Sequence, residues 1–109
     1  MSAIRRGEIV RIVGHRRPIG HEIKKDRPWV VLSPDSINAS ETTVLAAPLS
    51  RGSHPYPYRV ACTVDGLENH IVLDQLDCFH FRRLRRSSGA VSPQALKAAL
   101  ATLREMFAE

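Results

Sequence analysis

Short apolar stretches alternate with polar loops over most of the chain, and the period changes only near the end. EIVRIV at 8–13 is rich in β-branched residues and lies between Gly7 and Gly14, which predicts a first strand. WVVLS at 29–33 predicts a second and TTVLAAP at 42–48 a third, with the turn formers PDSINAS at 34–40 between them. Residues 58–64 predict a fourth strand, Asp65-Gly66 begins a turn, and 70–79 predict a fifth with a basic extension, Arg82-Arg83-Leu84-Arg85-Arg86. Two long polar loops interrupt this pattern, GHRRPIGHEIKKDRP at 14–28 and LSRGSHPYP at 49–57. Loops of that length in a small domain are more often functional than idle.

The last segment has helical spacing. Ser92 can cap a helix, Pro93 suits its first position, and Leu96, Ala99, Leu100, Leu103 and Met106 or Phe107 recur on one face. Five or six short strands and one helix predict a mostly-β fold with some α, a small antiparallel barrel or half-open sheet with a C-terminal helix. At 109 residues the chain fits a single domain spanning 1–109.

Composition narrows the function classes. Apolar residues make up 43% and charged residues 25%, ordinary globular usage that argues against disorder or a fibre. No apolar run reaches the roughly 18 residues of a membrane span, and no signal-type core follows the first residues, so a cytoplasmic protein is expected. Cys62 and Cys78 have no Cys or His partner at metal-ligand spacing, so no metal, cofactor or disulfide scaffold is indicated, and both are expected to be buried.

Charge is uneven along the chain. Residues 1–27 carry 8 Lys/Arg against 3 Asp/Glu, 28–81 carry 2 against 6, and 82–109 carry 6 against 2. Basic ends that meet in the fold would form a surface attractive to phosphate backbones.

Candidate chemistry concentrates at 20–34, GHEIKKDRPWVVLSP, where a histidine, two carboxylates and three cations precede a buried-strand pattern. Pro28 biases Arg27 towards an extended conformation, which presents its guanidinium at the mouth of the strand.

Taken in order, RGEI (6–9), GHEIKKDRPWVVLSPD (20–35), APLS (47–50), YPYRV (56–60), VLDQ (72–75) and the SPQAL…LREMF helix (92–107) resemble the MazF/PemK family of toxin endoribonucleases. The resemblance spans nearly the whole chain and is most specific in the GHE…RP…VVLSPD block. It implies an SH3-like barrel of MazF/CcdB type, a homodimer, and metal-independent cleavage of single-stranded mRNA at a short sequence. It also implies a cognate antitoxin with an acidic tail. Arg27 matches the family's catalytic arginine, and Glu22 matches its acidic G-x-E residue. Ser50 stands where threonine is common, keeping the hydroxyl without the methyl that fixes its rotamer. Asp74 and Gln75 match the DQ pair. Arg16-Arg17-Pro18 departs from the Asp-Pro seen in many members.

The residue types suit that chemistry on their own terms. Metal-free RNA cleavage drives a 2′-hydroxyl onto phosphorus, which calls for a base, donors to the charged phosphorane and a proton for the leaving 5′ oxygen. Arg27 offers a planar fork for phosphoryl oxygens, Ser50 a hydroxyl donor, and Glu22 or His21 a base. Arg16, Arg17, Lys24, Lys25 and Arg51 would track the RNA backbone, and Tyr56 or Tyr58 would stack on bases. Two rival readings are a CcdB-like poison of DNA gyrase and a catalytically inert nucleic-acid-binding barrel.

Overall fold

The hinge of the architecture is an eight-residue strand that changes partners halfway along one edge. The computed structural model describes residues 3–13, 27–52 and 57–109. Its elements are β1 (Glu8–Ile12), β2 (Trp29–Val31), α1 (Asp35–Asn38), β3 (Thr43–Ser50), β4 (Arg59–Val64), β5 (Leu67–Val72), β6 (Asp77–His80), β7 (Leu84–Ala90) and α2 (Pro93–Met106). The strands lie in the order β4-β5-β3-β2-β1-β7, every pairing is antiparallel, and β6 pairs β3 off this path. One edge of β3 bonds β2 through Ala46–Pro48. The other edge bonds β6 through Thr43–Ala46 and β5 through Leu49 and Ser50. Because β5 and β6 share one edge, the sheet curls at β3 into an antiparallel half-barrel, the predicted mostly-β fold with a C-terminal helix.

Strand alternation sorts the core onto two faces. Ile9, Val30, Leu32, Ala47, Leu49, Cys62 and Ile71 pack with Ala95 and Ala99 of α2. Val10, Ile12, Trp29, Val31, Val44, Ala46, Phe79 and Leu84 form the opposite cluster. There Trp29 meets Phe79 edge to face, with ring centroids 4.8 Å apart. The Ser92 hydroxyl accepts from Ala95 N at 3.1 Å and Pro93 occupies the first turn, the predicted start of α2. Among the described residues no helix is long and apolar enough to cross a membrane.

Four local expectations are corrected. The stretch 70–79 is two strands, because a 3-10 turn at Leu73–Gln75 breaks it between β5 and β6. The basic extension is split, Arg82 and Arg83 lying in a 3-10 turn and Leu84, Arg85 and Arg86 opening β7, whose backbone bonds β1 whatever its side chains prefer. Residues 34–40 contain one helical turn, α1. Cys78 is exposed on β6 rather than buried, and both thiols are free. Helix residues Leu96, Leu103 and Met106 pack against the core as expected, whereas Phe107 is 75% exposed.

The turn after β4 follows its sequence. Asp65 and Gly66 both take positive φ, 52° and 76°, the backbone of a tight hairpin between Val64 and Leu67.

Candidate functional site

Ser50 is the last residue of β3, not a loop residue as the sequence predicts, and its neighbours define the site. Across one edge it pairs directly with His70 of β5, which in turn pairs with Ala61 of β4. On the other edge the last registered β2–β3 pair is Trp29 with Pro48. The register continues one step outward through a 2.8 Å bond from Leu49 N to Pro28 O. The next position outward is Arg27, at a bend just beyond this ladder and on the side of Ser50. Directly opposed residues of an antiparallel pair share a face, so Ser50, His70 and Ala61 form one row across two ladders, with Arg27 beyond its Ser50 end. It lies on the Trp29–Phe79 face of the sheet, turned away from α2.

The environments along this row differ. Arg27 is exposed and forms no ion pair among the described residues. Its guanidinium is therefore available to an anion from outside. Arg51, next along the chain, is exposed as well. Ser50 is only 7% exposed, and its Oγ makes a single long contact, donating to the Arg51 carbonyl at 3.5 Å. Any phosphate that reaches this hydroxyl must be seated at the end of the sheet, where reduced solvent strengthens the hydrogen bond.

Asp74 and Gln75 lie on the 3-10 turn after β5, away from the Ser50 row along the chain. Asp74 Oδ1 faces Arg59 Nε at 3.4 Å, with the Arg59 side chain 9% exposed and that of Asp74 38%. Removing Asp74 would thus disturb a largely buried cation, a structural consequence that needs no RNA contact. Gln75 is half-buried. Arg16, Arg17, His21, Glu22, Lys24, Lys25 and Tyr56 lie outside the described residues. Tyr58 is exposed.

His70 and Arg59 are absent from the sequence-predicted set. His70 is revealed by pairing alone, although the alternation Glu68, His70, Val72 already sets it on the face opposite Asn69 and Ile71.

A PemK-like, MazF-like toxin model of type II toxin–antitoxin systems matches residues 5–107. No curated protein matches the chain. Among solved structures, MazF from Deinococcus radiodurans superposes with a TM-score of 0.79 at 22% identity, covering 97% of each chain. MazF in the MazE-MazF complex from the same organism gives 0.74 at 19%, again covering 97% of each chain. An endoribonuclease from mycobacterial species, in complex with its cognate antitoxin, gives 0.76 at 21%, covering 94% of this chain and 93% of its own. At these identities the superpositions speak for the fold, and the family match carries membership: the chain belongs to the PemK-like, MazF-like toxin family of type II toxin–antitoxin systems.

Proposed function

We propose that the protein is a toxin endoribonuclease that cleaves single-stranded RNA by attack of a ribose 2′-hydroxyl on the adjacent phosphorus, without a metal. The observation that supports this reading is the nearness of Arg27 to Ser50, one residue beyond the Pro28–Leu49 bond: an exposed guanidinium and a nearly buried hydroxyl at one end of the sheet. Arg27 holds two non-bridging phosphoryl oxygens as charge accumulates on them, and Ser50 Oγ–H donates to the same group. Proton abstraction falls to Glu22 or His21, which the sequence carries a few residues before Arg27, and as the 2′-oxygen–phosphorus bond forms the phosphorus–5′-oxygen bond breaks, the leaving oxygen taking up a proton from solvent. Arg51, next to Ser50, draws the backbone to the site, with Arg16, Arg17, Lys24 and Lys25 in the same role.

A gyrase poison would need neither Arg27 nor Ser50, and an inert binding barrel would have no use for a desolvated hydroxyl beside a free guanidinium. The partners follow from the same reading: mRNA as substrate, a second copy of the chain, and an acidic antitoxin held by the basic surface with marked salt dependence, all in the cytoplasm. Two of the structural relatives are solved with an antitoxin, which supports that partner.

The test is incubation of the purified protein with mixed single-stranded RNA in EDTA, followed by end mapping. Cleavage at a recurring short sequence with 2′,3′-cyclic phosphate ends is expected. Intact RNA at stoichiometric protein would overturn the reading.

A further inference from the structure

His70 is the direct cross-strand partner of Ser50. Opposed residues in an antiparallel pair bring their Cβ atoms to about 4.5–5.5 Å, within reach of an imidazole and a hydroxyl. The Nδ1 atom of the half-buried His70 is itself buried and has no hydrogen-bond partner among the described residues, a costly arrangement for a ring nitrogen. Beside it, the Ser50 hydroxyl directs its hydrogen into a contact at the outer limit of hydrogen bonding, 3.5 Å from the Arg51 carbonyl. An unsatisfied ring nitrogen and a weakly bonded hydroxyl thus sit on directly paired residues, with Arg27 close by. Around them, Ala61 faces His70 from β4, and Arg59 is already engaged with Asp74.

Resting on the function proposed above, we infer that His70 is a positioning residue for Ser50: Nδ1–H donates to Oγ, which leaves the Ser50 hydrogen free to point at the scissile phosphate. The chain Nδ1–H···Oγ–H···O–P satisfies both groups at once, and each bond polarises the next. It requires only a turn of Ser50 about χ1, which an unbranched side chain makes readily. The arrangement also accounts for a serine serving here. A threonine has its rotamer limited by its own methyl, whereas Ser50 has none and takes its orientation from the neighbouring strand.

The contact predicts a specific pattern of rescue. His70→Val suits a half-buried strand position and removes the donor. It should lower kcat for single-stranded RNA about three- to tenfold, the value of one neutral hydrogen bond, with KM little changed. His70→Asn offers an N–H near the position of Nδ1 and should recover most of that loss. Adding Ser50→Thr to His70→Val should recover it too, because the branched Cβ orients the hydroxyl without help. A merely structural role for His70 predicts rescue by neither, and that outcome, or an unchanged kcat in His70→Val, overturns the inference.

A second arm needs no cleavage. NMR correlation of the imidazole nitrogens should show the His70 proton on Nδ1 in the parent and redistributed in Ser50→Ala. An identical His70 signature in both proteins overturns the contact even if RNA is cut. A protein that cuts no RNA but shows the change removes the proposed function while supporting the contact.

Discussion

Arg27 stands on the side of Ser50, one step beyond the last backbone-bonded pair of their strands, Pro28 and Leu49. If the guanidinium stabilises the phosphorane, its contribution is greater in the transition state than in the bound substrate. Arg27→Ala should therefore lower kcat by about 10²–10³ with a much smaller change in RNA affinity, as single-turnover rates and equilibrium binding would show. Arg27→Lys should restore little, since an ammonium lacks the planar fork.

The nucleophile can be removed from the other side. An RNA carrying one 2′-deoxyribose immediately 5′ to the scissile phosphate should bind as its parent does and stay intact on a denaturing gel. Cleavage of that substrate at the same bond would assign the attack to water or to the protein.

A buried polar clasp sets the loop after β2. Ser33 Oγ donates to Asn38 Oδ1 at 2.6 Å and accepts from Leu45 N at 3.0 Å, while Asn38 Nδ2 donates to the Ser33 carbonyl at 2.9 Å. Both residues are buried, so truncating one leaves the other unsatisfied. Asn38→Ala should cost about 1–3 kcal/mol in urea denaturation with an unchanged m-value.

The two thiols should react at different rates. Burial pushes the Cys62 thiol up from its usual range and also shields it, whereas Cys78 is exposed. Iodoacetamide in mildly alkaline buffer should label Cys78 first, with Cys62 modified only after denaturant is added. Mass spectrometry of the digested protein reads both sites.

The parts of the fold legible in the sequence are those where side-chain period and local capping agree. β1 is a β-branched run between glycines, α2 starts at a Ser-Pro cap, and Asp65-Gly66 has hairpin-turn chemistry. The parts that were not legible depend on pairing. Apolar content runs on from β5 into β6, and the break at Leu73–Gln75 is a backbone event within it. β7 is written in arginine, serine and glycine, poor strand formers that pair because β1 offers a free edge. Ser50 reads as a loop residue but ends β3, since the apolar pattern fades after Leu49 while β5 carries the ladder one residue further. His70 carries no motif, and its place beside Ser50 emerges only from the register of β5 on β3. Arg27 reads as extended because Pro28 restricts the residue before it, and in the structure it lies at a bend immediately before Pro28 and β2.

The double pairing of β3 means that this protein's chemistry is vulnerable to insertions as well as to substitutions. Side chains alternate with a period of two, so one residue added upstream of Ser50 within the strand would turn Leu49 towards Arg27 and His70 and drive Ser50 into the helix-side core. Hydrophobic partners on both faces of the sheet resist that slip, since each cluster would have to accept the other's residues. Drift in length should thus be tolerated in the connecting segments and selected against between Thr43 and Ser50, where reading frame along the strand decides whether a hydroxyl or a leucine stands opposite His70.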